Sequence, residues 1–130
     1  MHEGGDGLTI GVIGTTDPGD VTNGISFYHA TAHAWCGYSG GVYLAGRRDN
    51  RGHGGWPSYG WQTGDTTALM LDTATNTLTL KHRRLARAFA ISLPGGVAEW
   101  FLNVSMYLKG DSVEAQRIST AEYDDFLQPI

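Results

Sequence analysis

His29, His33 and Cys36 stand close together, with Asp17 and Asp20 upstream of them. Imidazoles near carboxylates are the donor set that holds a divalent metal and activates water, and a thiol beside an imidazole is the pair used in nucleophilic catalysis. The spacing completes neither arrangement. Two histidines four residues apart share a direction only on a helix, and the glycine and threonine around them do not build one. The chain holds no His-Glu-x-x-His pattern. Asp124 and Asp125 are adjacent, whereas glycoside hydrolysis needs two carboxylates straddling a bond. Residues 52–60 are glycine-rich but lack the strand, helix and lysine of a phosphate loop. The sequence therefore predicts no enzyme, no cofactor and no metal site, and it reads Cys36 as a structural thiol.

Recognition chemistry is better supplied. The long stretch from Gly46 to Trp61 carries Arg47, Arg48, Arg51, Trp56, Tyr59 and Trp61 with no sustained period. A connection of that length in a compact domain is more often functional than incidental. Tyr and Trp bury broad, rigid area and keep one hydrogen-bonding group, which suits them to interface hot spots. Glycine and proline beside Trp56 and Tyr59 place both rings in an exposed loop, while Trp61 and Trp100 read as core. Arg47 and its neighbours could grip an acidic peptide through guanidinium forks. Lys81, Arg83, Arg84 and Arg87 form a basic run that is either a solvated face or a docking site for an acidic partner. Trp56 and Trp61 could instead stack on a sugar, giving a carbohydrate-binding sandwich as the alternative. A small hydrolase using a metal or Cys36 is the remote third reading.

The elements that must carry these residues are short strands. Residues 66–71 and 77–81 alternate around the reversal Thr73-Ala74-Thr75-Asn76, with Thr67, Leu69, Leu71, Leu78 and Leu80 facing inward. A slip of one residue would uncover those leucines at about 1.5–3 kcal/mol each. Further strands are expected over residues 8–14, 24–28, 32–38, 42–44, 85–91, 100–108 and 113–118. Residues 45–62 are expected to be mainly loop. Ala32, Ala34 and Cys36 would share one face, and His33 and Trp35 the other; Trp100, Leu102, Val104, Met106 and Leu108 would form one apolar stripe. Ser119-Thr120-Ala121-Glu122 resembles a capping box opening a short helix. The expected fold class is all-β, two packed antiparallel sheets forming a concanavalin-like β-sandwich with a short C-terminal helix. Residues 1–7 read as a flexible lead, 8–118 as the sandwich and 119–130 as an extension.

Size and charge bound the partners. At 130 residues the chain can close a two-layer core without a metal or disulfide. Nineteen glycines against four prolines fit a turn-rich protein. A net charge of −4 opposes nucleic acid as a partner. A single cysteine favours a reducing compartment. The N-terminus lacks a signal-peptide pattern, and no apolar run approaches the roughly 20 residues that span a bilayer. The expectation is a cytoplasmic chain with no membrane partner.

At Gly64-Asp65, Leu69-Met70-Leu71-Asp72 and Thr77-Leu78-Thr79-Leu80 the sequence resembles the SPRY (B30.2-type) family, with Leu80 where that family usually has Phe. Leu85-Ala86-Arg87-Ala88-Phe89 is similar to its Leu-Gly-Val-Ala-Phe segment, and Phe101-Leu102-Asn103-Val104-Ser105 to its Tyr-Pro-Ala-Val-Ser strand. Neuralized-type repeats share the sandwich and are a close alternative. The resemblance implies a protein-recognition module whose loops bind a short peptide or partner loop, often attached to ubiquitin-ligase, signalling or scaffold components. Carried onto this chain, it implies contacts from Asp17, Asn23, Tyr38, Trp56, Tyr59, Tyr107, Leu108 and Lys109, with Asn23 or Arg47 as polar clamps.

Overall fold

The computed structural model describes residues 8–14, 30–37, 40–49, 53–57, 59–97, 99–105 and 113–127. Eight strands run through them: β1 Thr9–Ile13, β2 His33–Cys36, β3 Val42–Leu44, β4 Arg47–Asp49, β5 Thr67–Asp72, β6 Thr77–His82, β7 Arg87–Ser92 and β8 Phe101–Ser105. They form a five-stranded sheet in the order β4-β3-β2-β1-β8 and a three-stranded sheet β5-β6-β7. Every pairing is antiparallel. Among the described residues one short α-helix, α1, covers Thr120–Asp124. The chain is an all-β sandwich, as the alternation predicts.

Local chemistry fixes the reversals. Ala45 and Gly46 join β3 to β4 with φ of 53° and 80°, the doubly left-handed backbone that matches strand twist in a two-residue hairpin. Between β5 and β6, Oδ1 of Asp72 accepts from the Ala74 and Thr75 amides at 2.9 and 3.2 Å, and Asn76 takes φ 51°. Leu71 then pairs with Leu78 and Leu69 with Leu80; Leu78 and Leu80 are buried and Leu69 partly so, whereas Leu71, beside the reversal at the end of β5, is 37% exposed and does not face inward as expected.

The layers meet through one apolar cluster. Ile10, Val12, Trp35 and Val42 from the larger sheet pack against Leu78, Leu80, Phe89 and Ile91 from the smaller, with Trp56 and Trp61 in the same cluster. The reverse face of the larger sheet is also buried, through Ile13, Ala34, Cys36 and Tyr43. The strand period thus divides β2 as expected, sending Trp35 to one cluster and Ala34 with Cys36 to the other.

Helix α1 opens with a complete capping box. The Glu122 amide donates to Oγ of Ser119 at 3.1 Å, and the Ser119 amide to Oε1 of Glu122 at 3.2 Å. Five residues cannot hold a helix alone in water, so docking completes the task. Tyr123 is buried with Lys81 Nζ 4.1 Å above its ring, and Arg83 lies 4.1 Å over Phe126. Lys81 also donates to the carbonyl of Tyr123 at 2.8 Å.

Further expectations need correction. Residues 113–118 pair with no strand among the described residues and are exposed, Val113 and Ile118 at 37% and 36%, because β-forming residues without a neighbouring ladder have nothing to pack on. Residues 45–62 are not all loop, since β4 and a single 3-10 turn at His53–Gly55 lie within them. In β8 the stripe is broken: Leu102 is 53% exposed while Asn103, on the opposite face, is buried. Residues 24–28 and 106–108 lie outside the described residues.

Candidate functional site

The basic run is the organising feature of the site, and its exposed charges reach back to partners within the chain. The β6–β7 hairpin reverses at residues 83–86 and holds a guanidinium on either side of the turn. Nε and Nη2 of Arg84 donate to Oδ1 and Oδ2 of Asp65 at 2.7 and 3.0 Å, a bidentate fork that fixes orientation as well as distance. The Gln62 amide donates to the same carboxylate at 2.7 Å. Burial works to raise the Asp65 pKa, yet the Arg84 fork, the Gln62 amide and electrostatic attraction from His82 and Arg84 together hold it below the ordinary carboxyl value.

The same hairpin grips the preceding connection by its carbonyls. Arg84 Nη2 donates to Tyr59 O and Gly60 O, each at 3.2 Å. Arg87 donates to Gly55 O and Gly54 O at 3.2 and 3.3 Å. His82 is fully buried, and its Nε2 sits 2.7 Å from Gly60 O and 3.2 Å from Oδ2 of Asp65. Both neighbours are acceptors, so Nε2 carries a proton. Counting Lys81 over Tyr123 and Arg83 over Phe126, each cation of the run is engaged within the chain. The run acts as an internal clasp, while Arg83, Arg84 and Arg87 keep exposed surface.

What the clasp holds is an aromatic wedge. Trp56 Nε1 donates to Cys36 O at 2.7 Å and Trp61 Nε1 to Trp35 O at 2.9 Å. These bonds satisfy the only polar atom of each indole and let the rings enter the core. Trp56 meets Phe89 edge-on at 5.0 Å, and Trp61 stacks on His82 at 5.5 Å. Gly60 makes the approach possible, because a Cβ there would strike the Trp56 ring.

Trp56 was expected in an exposed loop and is 2% exposed; main-chain acceptors on β2 draw its ring inward, so it cannot touch a partner. Trp61 is buried too, as expected. With both indoles turned into the core, the platform for stacking a sugar is absent at these positions. Tyr59 goes the other way. It is 53% exposed, and its backbone adopts φ 56°, an uncommon conformation for a residue with a side chain. Two side chains donate to its carbonyl, Arg84 and, at 3.4 Å, Gln62.

Arg47 is exposed on β4, and no contact joins it to Tyr59 among the described residues. Asp17, Asn23, Tyr38, Tyr107, Leu108 and Lys109 lie outside the described residues. Cys36 is wholly buried on the reverse face of the larger sheet, which denies its thiol to a substrate. Among the described residues no three His, Cys, Asp or Glu side chains are grouped to hold a metal ion.

A cleft of about 460 Å³ is lined by His33, Leu44 and Ala45 from the larger sheet and its β3–β4 turn, and by Thr77 and residues 90–94 from the smaller sheet and the segment after it. Its volume falls in the range of small-ligand sites, roughly 300–1,000 Å³. His33 is buried, with Nδ1 2.9 Å from Thr31 O and its ring edge-on to Trp100. Burial holds its imidazole below the usual pKa, against the smaller opposing effect of the Thr31 bond.

The triad Asp65, His82 and Arg84 was not legible as a unit. Gly64-Asp65 and the basic run each stood out, but nothing in a linear chain links a carboxylate to a guanidinium beyond an intervening hairpin. Comparisons with family models, with curated proteins and with solved structures each find no match to this chain.

Proposed function

We propose that this chain is a protein-recognition module that binds a short peptide or an exposed loop of a partner protein, with Tyr59 as a leading contact. The observation that carries the reading is the combination at Tyr59: a ring 53% exposed on a main chain anchored by Arg84 and Gln62. A main chain already held in place loses little backbone freedom on binding, and tyrosine is a residue type enriched at interface hot spots. The SPRY-like pattern supports the same reading, and recruitment to a ubiquitin-ligase or signalling assembly follows from that resemblance. Binding consists of orientation and complementarity, with no bond made or broken. Among the described residues, Arg47 is the charged contact this reading carries.

Partner capture from a cell extract by the wild type and by Tyr59→Ala, with near-ultraviolet circular dichroism confirming the fold of both, tests this. The expected result is a set of proteins retained by the wild type and weakened at least about tenfold by the substitution, the ordinary loss for a hot-spot tyrosine. Equal capture by both proteins would remove Tyr59 from the interface, and no capture by either would remove the function.

A further inference from the structure

Among the described residues, four strands lie at the edges of the two sheets: β4 and β8 in the larger, β5 and β7 in the smaller. An edge exposes a row of main-chain donors and acceptors, and proteins blunt it with short length, charge or a covering element. β4 is blunted twice over, being three residues long and bearing Arg47 and Asp49. β5 has α1 packed against it. β8 is five residues long and sends Leu102 outward. β7 is six residues long, and the cleft between the sheets opens along its end.

The surface of β7 lacks protection where it meets the cleft. Phe89 and Ile91 turn inward and are buried, while Ala88, Ala90 and Ser92 are exposed. Those outward side chains are too small to shield the main chain. The first residue, Arg87, is occupied by the carbonyls of Gly54 and Gly55, so the connection flanks the beginning of the strand and leaves its end. Among the described residues, no main-chain group of β7 bonds to any element besides β6. After Ser92 the Leu93 amide turns back to Asn76 O at 2.7 Å.

The lining of the cleft specifies what could enter. Leu44, Ile91, Leu93 and Pro94 supply apolar walls, and neither a carboxylate nor a Lys or Arg side chain lines it. A charged group would lose its hydration there without an opposite charge to compensate. An aliphatic group loses only unfavourable contact with water.

We infer that β7 accepts an added strand: an extended peptide segment of a partner pairs with the main chain of residues 90–92 and places an aliphatic side chain in the neighbouring cleft. Main-chain bonds then supply generic affinity, and the cleft supplies the sequence preference. This deepens the recognition-module reading by naming the chemistry of the partner segment, and it rests on that reading. Because adjacent residues of a strand point to opposite faces, the preference falls on one residue and its second neighbours.

Panning a library of random linear peptides against the full chain tests the inference. Selected peptides are expected to share an aliphatic residue at one fixed position and to slow hydrogen exchange at those amides of residues 90–92 that point away from β6. Ala45→Arg, which obstructs the cleft from an exposed position on its opposite wall, is expected to weaken their binding at least about tenfold. If that variant fails to fold, a selected peptide carrying an N-methyl group at each main-chain position in turn serves instead: a periodic loss of binding supports pairing, and uniform tolerance overturns it. Peptides that bind without protecting residues 90–92, and that respond to Tyr59→Ala alone, overturn the added strand and leave the module reading standing. Failure to select any peptide overturns both. Concentration-dependent dimers that protect residues 90–92 without peptide would assign the edge to a second copy of this chain and overturn the partner segment.

Discussion

His33 shows how one enclosed side chain sets the response of the whole molecule to acid. Its folded pKa lies below the ordinary value near 6.5. Above that value both folded and unfolded chains hold a neutral imidazole, and His33 contributes no slope. As pH falls below about 6.5 the unfolded chain takes the proton first, so stability declines until the pH passes the folded pKa. Asp65 acts lower on the scale and in its own way: its depressed pKa stabilises the fold above the ordinary carboxyl range, and that contribution disappears as pH falls through the folded value. His33→Gln, which keeps a donor for Thr31 O, is expected to flatten the decline that sets in below about pH 6.5 without altering the Asp65 response at lower pH. Urea titrations across that range measure it. Trp56 marks the limit of reading single residues. Its neighbours Gly55 and Pro57 signal irregular backbone, which is what the chain has there, but no local signal tells which way a ring on such backbone points. The Cys36 carbonyl settles that, from across the fold.

Among the elements, the β5–β6 hairpin was the most legible, because alternation and a polar reversal state register and turn together. The capping box was equally direct, since its two bonds join residues three apart. β4 was hidden for a physical reason: an edge strand solvated along one side has no need of apolar residues, so Arg47-Arg48-Asp49 reads as loop. Residues 113–118 misled in the opposite sense, having strand-forming side chains with no ladder beside them. The helix that follows depends on Lys81, which contributes a hydrogen bond to Tyr123 O and a cation over its ring. Lys81→Met keeps the aliphatic stem and removes the charge. The expected cost is about 1 kcal/mol, with a selective rise in amide exchange over residues 120–126 and little change in β6. Loss spread evenly over the sandwich would mean that α1 is not a separately opening unit.

At the scale of the whole molecule, the two sheets are joined by a wedge as much as by direct apposition. Trp56 touches Trp35 in one sheet and Phe89 in the other, so removing it opens a void that neither sheet can close alone. Trp56→Ala is expected to cost about 3–5 kcal/mol, a large share of the roughly 5–15 kcal/mol available to a domain of ordinary stability. Chemical denaturation followed by tryptophan emission would record it. The layers themselves could be read from the sequence because alternation is local; the wedge could not, because it is assembled from residues far apart in the chain. The thiol of Cys36, sealed at 0% exposure beneath the reverse face of the larger sheet, acquires a different meaning from this. An alkylating reagent can reach that sulfur only while the strands around it have parted, so each modified molecule is the trace of one excursion away from the native state. The protein carries its own clock, and the tick is set by how often the fold lets go.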